Sequence, residues 1–447
     1  MNVENSITKP VKAKALCVAI AASLAGFMAP ASADTASDLE ALKAQIAALQ
    51  NSIAALERKQ VETAKAVAPA NTVTAGATPG SFKLPGSNTS VKFGGYVKAD
   101  LLFSDSSAGA GSAADQLLVP GSIALDNDTE DGQVTLHARQ TRLNFATSTP
   151  TAWGDLKTFV EADFFGANGN EVVSNSNGLR TRHAFGSLGS LLAGQTWSTF
   201  MDAGSLPETL DFGGPVGELF VRQTQVRWTE AFDGGSWSIA AESPESFLTT
   251  ASAGGGANSV TDDDKVPDLV ARLDFNTSVG RYALAAMARD IRVDKDTGAD
   301  NQWGGALAAY GVVPTVGKDT FQFSLTAGNA LGRYMGQAVF SDGDVNADGE
   351  LNLNNQWGAI LAYRHFWADN LRSTLALSTA RSSNPSDTSD TTTRNMNESA
   401  DTAHLNLLWS PVANTTFGLE LIHARRETED GRKGELNRLQ TSAQYNF

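Results

Sequence analysis

The chain ends in Arg438-Leu-Gln-Thr-Ser-Ala-Gln-Tyr-Asn-Phe447, where side chains of two kinds alternate without interruption. Leucine, threonine, alanine, tyrosine and phenylalanine occupy one parity, whereas arginine, glutamine, serine and asparagine occupy the other. A period of two sends successive side chains to opposite faces of a β-strand. The pattern therefore predicts a terminal strand with one largely apolar face and one polar face.

The same alternation fills the chain from Val91 onward, in segments of roughly ten residues. In Val91–Phe103, for example, Phe93 and Val97 share one parity, while Lys92 and Lys98 share the other. Three further segments with this pattern are Lys157–Phe165, Asp268–Phe275 and Leu371–Thr379. Arg139 and Arg222 break the pattern, because they fall on the apolar parity of their segments. The body of the chain is therefore predicted to be all-β.

The connections between these segments are of two lengths. The short ones are Ser148–Ala152, Asp233–Gly235, Asn276–Gly280 and Ser410–Ala413. The long ones are Ser104–Gly132, Gly166–Gly178, Trp197–Leu219, Pro244–Val266, Asn329–Asn354 and Ser382–Ala400. A soluble sandwich would also alternate, but short turns at one rim and long loops at the other are typical of an outer-membrane barrel with a polar lumen.

Residues 91–447 are accordingly predicted to form a transmembrane antiparallel β-barrel of about 16 strands. Closure of the barrel leaves no unpaired strand edge in lipid. The terminal Tyr-Asn-Phe also looks like the signal that the outer-membrane assembly machinery recognises. The predicted location is the outer membrane of a Gram-negative bacterium.

Composition excludes several other classes. The chain has 447 residues, 41% of them hydrophobic and 19% charged, with a net charge of -15. No apolar run beyond the N-terminal region reaches the length of a transmembrane helix, which excludes a helical bundle in the membrane. Binding to nucleic acid through phosphate neutralisation is excluded by the excess of acids. The one cysteine, Cys17, precludes a disulfide.

The first 33 residues have the three parts of an export signal. Lys9, Lys12 and Lys14 are followed by the apolar run Ala15–Phe27 and by the small residues Ala31-Ser-Ala33. This order predicts a signal peptide, residues 1–33, that is removed after Ala33.

Residues 34–65 are predicted to form a short α-helical coiled coil in the periplasm. Apolar residues recur there at intervals of three and four, which is the a/d seam of a heptad repeat. The seam consists of Leu39, Leu42, Ile46, Leu49, Ile53 and Leu56. An isolated helix of this length is marginal in water, so the seam predicts self-association. An amphipathic helix lying on its own domain is the alternative.

Residues 66–90 are rich in Ala, Thr, Pro and Gly and are predicted to be a flexible linker.

Two segments of the barrel resemble a known family. His137-Ala-Arg-Gln-Thr-Arg-Leu-Asn-Phe145 and Gly194-Gln-Thr-Trp-Ser-Thr-Phe200 resemble trimeric porins, specifically the DcaP family of Gram-negative bacteria. A coiled coil ahead of the barrel resembles that family too. The resemblance covers the mature chain and implies a homotrimer with passive uptake of small anionic solutes such as dicarboxylates.

The third long loop, Trp197–Leu219, is predicted to fold inward and narrow the channel, as it does in trimeric porins. Its acidic residues are Asp202, Glu208, Asp211 and Glu218. The arginines predicted to face it are Arg142, Arg180, Arg182 and Arg227, with Arg139 and Arg222 at the less certain parity. Guanidinium groups stay charged and bind carboxylates through two donors, so a ring of them favours anions. Alternatively, these arginines only brace the barrel by pairing with Glu161, Asp163 and Asp274.

Other acidic residues cluster in the predicted outer loops, at Asp126–Asp131, Asp262–Asp264 and Asp342–Glu350. Beyond a Debye length of about 8 Å their field is largely screened, so the overall negative charge does not exclude anion selectivity.

The third cluster places Asp344, Asn346, Asp348 and Glu350 in the order of the first half of an EF-hand loop. Asn355 stands where the bidentate glutamate belongs, and Asp, Asn and Gly also make ordinary turns. The pattern is compatible with structural calcium or with simple turns, and no other cofactor is expected.

No catalytic motif of a known hydrolase or nucleotide-binding enzyme is present, and the five histidines are scattered singly, so we expect no enzyme. The leading interpretation is an anion-selective porin for dicarboxylates, with outer-membrane lipid as its surroundings. A general non-selective porin is one alternative. The other is a structural tether whose coiled coil binds peptidoglycan or periplasmic proteins.

Overall fold

The structure is a computed structural model that describes ten ranges of the chain. They are residues 35–66, 72–107, 115–126, 132–166, 172–250, 258–261, 264–295, 298–346, 350–384 and 395–447. The predicted signal peptide lies outside these ranges, and so do Asp348 and most of the first two acidic clusters. The chain divides into two compact units, Met1–Thr72 and Val73–Phe447.

The second unit is a closed antiparallel β-barrel of 16 strands, which confirms the predicted fold. The strands are β1 (Ser90–Ser104), β2 (in two segments, Gln133–His137 and Arg142–Thr151), β3 (Gly154–Asp163), β4 (Arg180–Leu188), β5 (Leu191–Trp197), β6 (Arg222–Phe232), β7 (Gly235–Glu242), β8 (Asp268–Thr277), β9 (Gly280–Lys295), β10 (Gly298–Pro314), β11 (Thr320–Asn329), β12 (Asn355–Ala368), β13 (Leu371–Ser383), β14 (Asn397–Trp409), β15 (Thr415–Thr428) and β16 (Lys433–Asn446). Each strand pairs with the next along the chain. β16 closes the barrel against β1, with Leu439 opposite Phe103.

Burial follows the predicted parity. In β1, Phe93, Val97 and Leu101 are exposed on the outer face, whereas Lys98 and Asp100 are buried on the inner face. The outer face therefore has the apolar side chains that lipid requires, and the inner face has the polar ones.

The two rims of the barrel differ as the connections predicted. At one rim, which we call the turn rim, every connection is short, such as 152–153, 189–190 and 369–370. At the other, the loop rim, most connections are long. Two loop-rim connections are short, 296–297 and 429–432, because the strands that flank them are themselves long.

Two of the long loops fold together into a four-stranded sheet at the loop rim. Its strands are Ser246–Thr250, Asn258–Thr261, Gly343–Val345 and Leu351–Leu353. Leu248 pairs in parallel with Gly343, so the loop after β7 is joined to the loop after β11. Asp342, just before this pairing, binds the buried Arg289 of the wall at 2.7 Å.

The first unit contains one described helix, α1, Thr35–Ala66. Along its predicted seam the described residues Leu42, Ile46, Leu49, Ile53 and Leu56 are about half exposed or more. An apolar stripe left in water favours association with a partner, but the coiled coil itself stays a prediction. Among the described residues, no helix combines the length and apolar character needed to cross a bilayer.

The predicted linker differs from the structure near its end. Thr74–Ala75 pairs with Phe82–Lys83, and the latter pairs with Ser90 and Val91 at the start of β1. The ring of Phe82 stacks near that of Phe93, with centroids 6.2 Å apart. The residues just before the barrel are therefore attached to its first strand, because their few apolar side chains find partners there.

Candidate functional site

Residues 198–221, which we call the inward loop, connect β5 to β6 and contact distant strands of the barrel. Backbone N–H groups of Leu210 and Val216 donate to Glu420 and Thr402, on β15 and β14. At Gly217, an added Cβ would lie 2.8 Å from the carbonyl oxygen of Ala359 on β12. The loop therefore crosses the barrel interior and packs directly on the opposite wall.

Asp202 attaches the first part of the inward loop to β8 and β9. Its carboxylate binds Arg281 at 2.6 Å and Arg272 at 3.0 Å. Burial alone would raise the pKa of Asp202, but the hydrogen bonds and charges of these arginines lower it below its usual value. Asp202 therefore carries a negative charge that two guanidinium groups neutralise, and Asp274 shares Arg272 at 2.6 Å.

Glu208 and Asp211 attach the tip of the loop to the other side. Arg372 on β13 donates from Nε and Nη2 to the two carboxylate oxygens of Glu208, at 2.8 and 2.5 Å. Arg438 on β16 binds Asp211 at 2.9 Å, and both side chains are fully buried. Each of these two loop acids is thus matched by an arginine of the wall.

Glu218 is the remaining acid of the loop, and it has a different environment. Its side chain is buried, and its Oε1 has no hydrogen-bond partner among the described residues. Burial, together with the nearby charge of Asp211, raises the pKa of Glu218 well above its usual value. This shift favours the protonated, neutral form of Glu218.

Four arginines gather on the wall that faces the loop tip: Arg142, Arg180, Arg182 and Arg222. We call them the arginine cluster. The guanidinium carbons of the first three lie 5.8, 5.2 and 5.4 Å from the ring centroid of Phe212, in the inward loop. The guanidinium of Arg222 lies 4.3 Å from the ring of Trp197. Aromatic faces attract guanidinium groups and hold them without neutralising them.

Two acids of β3 pair with this cluster. Asp163 binds Arg180 at 2.7 Å and Arg182 at 2.9 Å. Glu161 binds Arg182 at 2.7 Å and lies 3.9 Å from Arg142. Four guanidinium groups thus face two carboxylates, which leaves two excess positive charges on this wall.

The other two predicted pore arginines lie elsewhere. Arg139 is buried and donates to Gln116 Oε1 and to the carbonyl oxygens of Phe164 and Gly166. Arg227 lies further down β6, half-buried, and its buried Nε has no hydrogen-bond partner. The structure therefore brings four of the six arginines together. Arg139 borders this group, because its guanidinium and that of Arg180 both lie over the ring of Phe165, whereas Arg227 lies apart.

Four arginines that bind the loop acids were not among the predicted site residues: Arg272, Arg281, Arg372 and Arg438. Three of them could have been found, because Arg272, Arg372 and Arg438 lie on the polar parity of segments whose alternation was recognised. Their partners could not, since each pair joins residues that are more than 60 positions apart.

The predicted calcium loop is described in part. Asp344 is buried in the loop-rim sheet, and Asn346 binds Glu350 through both side chain and backbone. Asp348 lies outside the described residues. Within the described ranges, no three acidic, histidine or cysteine side chains converge in the way a metal ion needs. Calcium binding stays a prediction.

Comparison with known proteins places this geometry in a family. Residues 27–447 match the family described as DcaP outer membrane protein. The outer membrane channel DcaP of Acinetobacter baumannii is similar in structure, with a TM-score of 0.71 and 23% identity over 84% of this chain and 100% of that one. Outer-membrane-expressed OmpT of Vibrio cholerae has a TM-score of 0.50 and 10% identity over 80% and 98%. No curated protein matches the chain. At these identities the two solved structures support the fold alone.

Proposed function

The chain belongs to the DcaP outer membrane protein family and is an outer-membrane channel of that type, and from this premise we propose that it conducts small anionic solutes, dicarboxylates above all. The arginine cluster is the selective element, and the inward loop narrows the passage beside it. Transport is passive and follows the concentration gradient of the solute.

One observation carries the proposal: the arginine cluster beside the inward loop has more guanidinium groups than carboxylates. Asp202, Glu208 and Asp211 are each paired with arginine, and Glu218 is buried with a raised pKa. The cluster itself holds four arginines against two acids. An anion near these groups meets a net positive field, and in a confined space of low dielectric that field is strong.

The unfilled donors of the cluster also suit a carboxylate. Nη1 of Arg222 and Nε of Arg142 are buried and have no hydrogen-bond partner in the described structure. Buried donors without a partner are costly, and a small movement of these side chains toward the passage would let an incoming carboxylate satisfy them. A diacid that bridges Arg222 and Arg142 would therefore be favoured over chloride.

Bracing of the barrel is the competing role, and the residues divide between the two roles. Arg180 and Arg182 hold carboxylates at ordinary ion-pair distances, as bracing requires. Arg222 forms no ion pair with any described residue, and its contacts are the rings of Trp197 and Phe220. Arg222 is therefore the residue on which the two roles make different predictions.

A homotrimer is part of the proposal, and one feature of the barrel wall supports it. The segment of β2 at the loop rim, Gln133–His137, pairs with β1 along one edge, and no other described strand pairs with it. Its side chains Val134 and Leu136 are 67% and 69% exposed. An open strand edge beside apolar side chains is costly in lipid, so a second copy of the chain would cover it.

The helix α1 fits the same assembly, because three copies of its half-exposed seam can pack together in the periplasm. Peptidoglycan or a periplasmic protein as its partner is the alternative that would make the barrel a tether. The two roles differ in conductance, since a tether requires no open passage.

The test is the reversal potential of the purified protein in a planar bilayer under a potassium chloride gradient. We expect the parent to favour chloride and to show transient block of current by succinate. Arg222→Gln should lower the preference for chloride and shorten the block, because it removes an unpaired charge without leaving a carboxylate alone. Arg222→Lys is the matched control and should keep most of the preference. A parent that favours potassium, or an Arg222→Gln variant that behaves as the parent does, would refute the proposal.

A further inference from the structure

Another arginine without an ion pair to a described residue lies away from the arginine cluster, at the loop rim. Arg426 is near the end of β15 and is half-buried. Its Nη1 donates to the carbonyl oxygen of Gly121 at 2.6 Å and to Oδ1 of Asn397 at 3.0 Å, and its Nε donates to the carbonyl oxygen of Ile123. All of these partners are neutral, and Arg426 forms no ion pair with a described residue.

The side chain of Arg426 borders a cavity of about 300 Å³. The cavity is formed by four long loops, and its other polar side chains are Thr249, Ser341, Asn384, Asn395 and Asn397. Among the described residues, no aspartate or glutamate lines it. This volume is at the small end of the range for small-molecule sites.

The neutral contacts of Arg426 hold its guanidinium in place without neutralising it. Asn397 is itself fixed, because its Nδ2 donates to the carbonyl oxygen of Val339 at 2.8 Å. The carboxylate of Glu429, on the neighbouring turn, accepts a hydrogen bond from Asn384 at 2.6 Å and makes no ion pair with Arg426. A positive charge is therefore held at the wall of a polar cavity.

We propose that this cavity is an outer binding site for a small carboxylate, which it captures before the solute reaches the arginine cluster. The contacts of Arg426 use Nε and Nη1, so among the described contacts Nη2 is left to donate to a carboxylate. One guanidinium accounts for one carboxylate, so a diacid bound here keeps its second carboxylate for the cluster below.

The site deepens the proposed function and rests on it for the choice of solute. Its position predicts an effect that the cluster cannot produce. Long loops face the outside of the cell in barrels of this kind, so the cavity acts on solutes that approach from the loop rim. Loss of its charge should slow their association from that side alone.

The test is single-channel recording with succinate added to one side of the bilayer at a time, in low salt. Arg426→Gln should reduce the association rate of succinate from the loop rim about threefold to tenfold, by analogy with electrostatic steering. Association from the turn rim should stay as in the parent. Arg426→Lys keeps the charge and should keep most of the rate.

A neighbouring arginine provides the matched control. Arg425 is the preceding residue of β15, points to the other face of the strand, and pairs with Glu427 at 3.3 Å. Arg425→Gln removes the same charge at the same height and should leave both rates unchanged.

Three results would overturn the inference, and they separate it from the proposed function. If Arg426→Gln and Arg425→Gln behave alike while the parent is blocked by succinate, the outer site is wrong and the cluster stands. Equal slowing from both rims would also refute it, because a site at one rim cannot act equally on both. A parent that succinate does not block from either side would refute the site and the proposed function together.

Discussion

Arg438 on the last strand donates from Nη1 to Oδ2 of Asp211 in the inward loop, at 2.9 Å, and neither side chain is exposed. The other carboxylate oxygen of Asp211 accepts the backbone N–H groups of Leu118 and Gly213, at 2.8 and 2.7 Å. One aspartate therefore joins the inward loop, the loop after β1 and the closing strand. Because a buried carboxylate needs both charge and donors around it, this junction depends on all three partners.

The first prediction concerns this junction. Arg438→Gln leaves Asp211 buried without its cation, and breaking a buried pair in this way costs about 3–5 kcal/mol. We expect a lower melting temperature and larger, noisier single-channel currents, because the loop tip is released. Melting followed by circular dichroism and bilayer recording would measure both.

A double variant provides the control for this prediction. Asp211→Asn with Arg438→Met removes both charges and keeps an oxygen for the N–H groups of Leu118 and Gly213, so much of the lost stability should return. If Arg438→Gln melts and conducts as the parent does, the pair does not hold the loop.

The second prediction concerns the sign of selectivity. Replacing Arg142, Arg180 and Arg182 together by alanine leaves Arg222 beside Glu161 and Asp163, which changes the cluster from two excess positive charges to one excess negative charge. The reversal potential should then move past zero toward cation preference, and succinate block should disappear. An unchanged reversal potential would mean that the cluster does not face the conducted ions.

A third prediction uses an acid of the loop. Glu208→Gln removes the negative charge that pairs with Arg372, and both side chains are partly exposed. The freed guanidinium should strengthen the preference for chloride. Glu230→Gln is the control, because it removes a negative charge near the turn rim of β6, away from the inward loop, and should have a smaller effect on chloride preference. An equal effect would indicate that the net charge of the whole protein, and not the charge at the loop, sets the preference.

The fourth prediction locates the surface between protomers. The only cysteine of the chain lies in the predicted signal peptide, so single cysteines can be introduced into an otherwise cysteine-free mature protein. Val134→Cys should be protected from a lipid-soluble maleimide in the trimer. Leu307→Cys, on β10, has a side chain of matching exposure, 66%, and should react. Equal labelling of the two would place the contact elsewhere.

The fifth prediction concerns α1. Deleting residues 34–65 should leave most trimers intact, because barrels of this kind associate through their walls, and should reduce resistance to heat and detergent. Native electrophoresis across a temperature series would show both. A full-length protein that is monomeric in mild detergent under all conditions would contradict the trimer.

The barrel could be predicted from the sequence because its signal is local. An alternation with a period of two is visible within ten residues, and strands such as β1 and β16 show it without knowledge of their neighbours. The break of β2 between His137 and Arg142 was not predicted, since it depends on how β1 pairs with two separate segments. The attachment of Phe82 to the barrel was also missed, because one aromatic residue in a linker forms no pattern.

The candidate site was likewise predictable from the sequence only in part. The polar parity of Arg142, Arg180 and Arg182 predicted that they face the lumen, and the resemblance to trimeric porins implied that the inward loop lies opposite them. Which acid each of them meets could not be predicted. Asp163 lies 17 positions from Arg180, whereas Glu208 lies 164 positions from Arg372, and only the closed barrel brings the second pair together.

The pairing of β16 with β1 also sets the order in which this molecule can be completed. One edge of β1 stays unpaired until it meets β16, which lies about 340 positions later in the chain. Contacts between such distant residues form slowly. Arg438, which holds Asp211, belongs to the same last strand, so the passage receives its final shape only when the wall closes. A chain truncated before β16 lacks both the strand that closes the barrel and the arginine that holds the inward loop. It therefore cannot serve as a wider pore. Synthesis to the last residues is a condition for any selective opening at all.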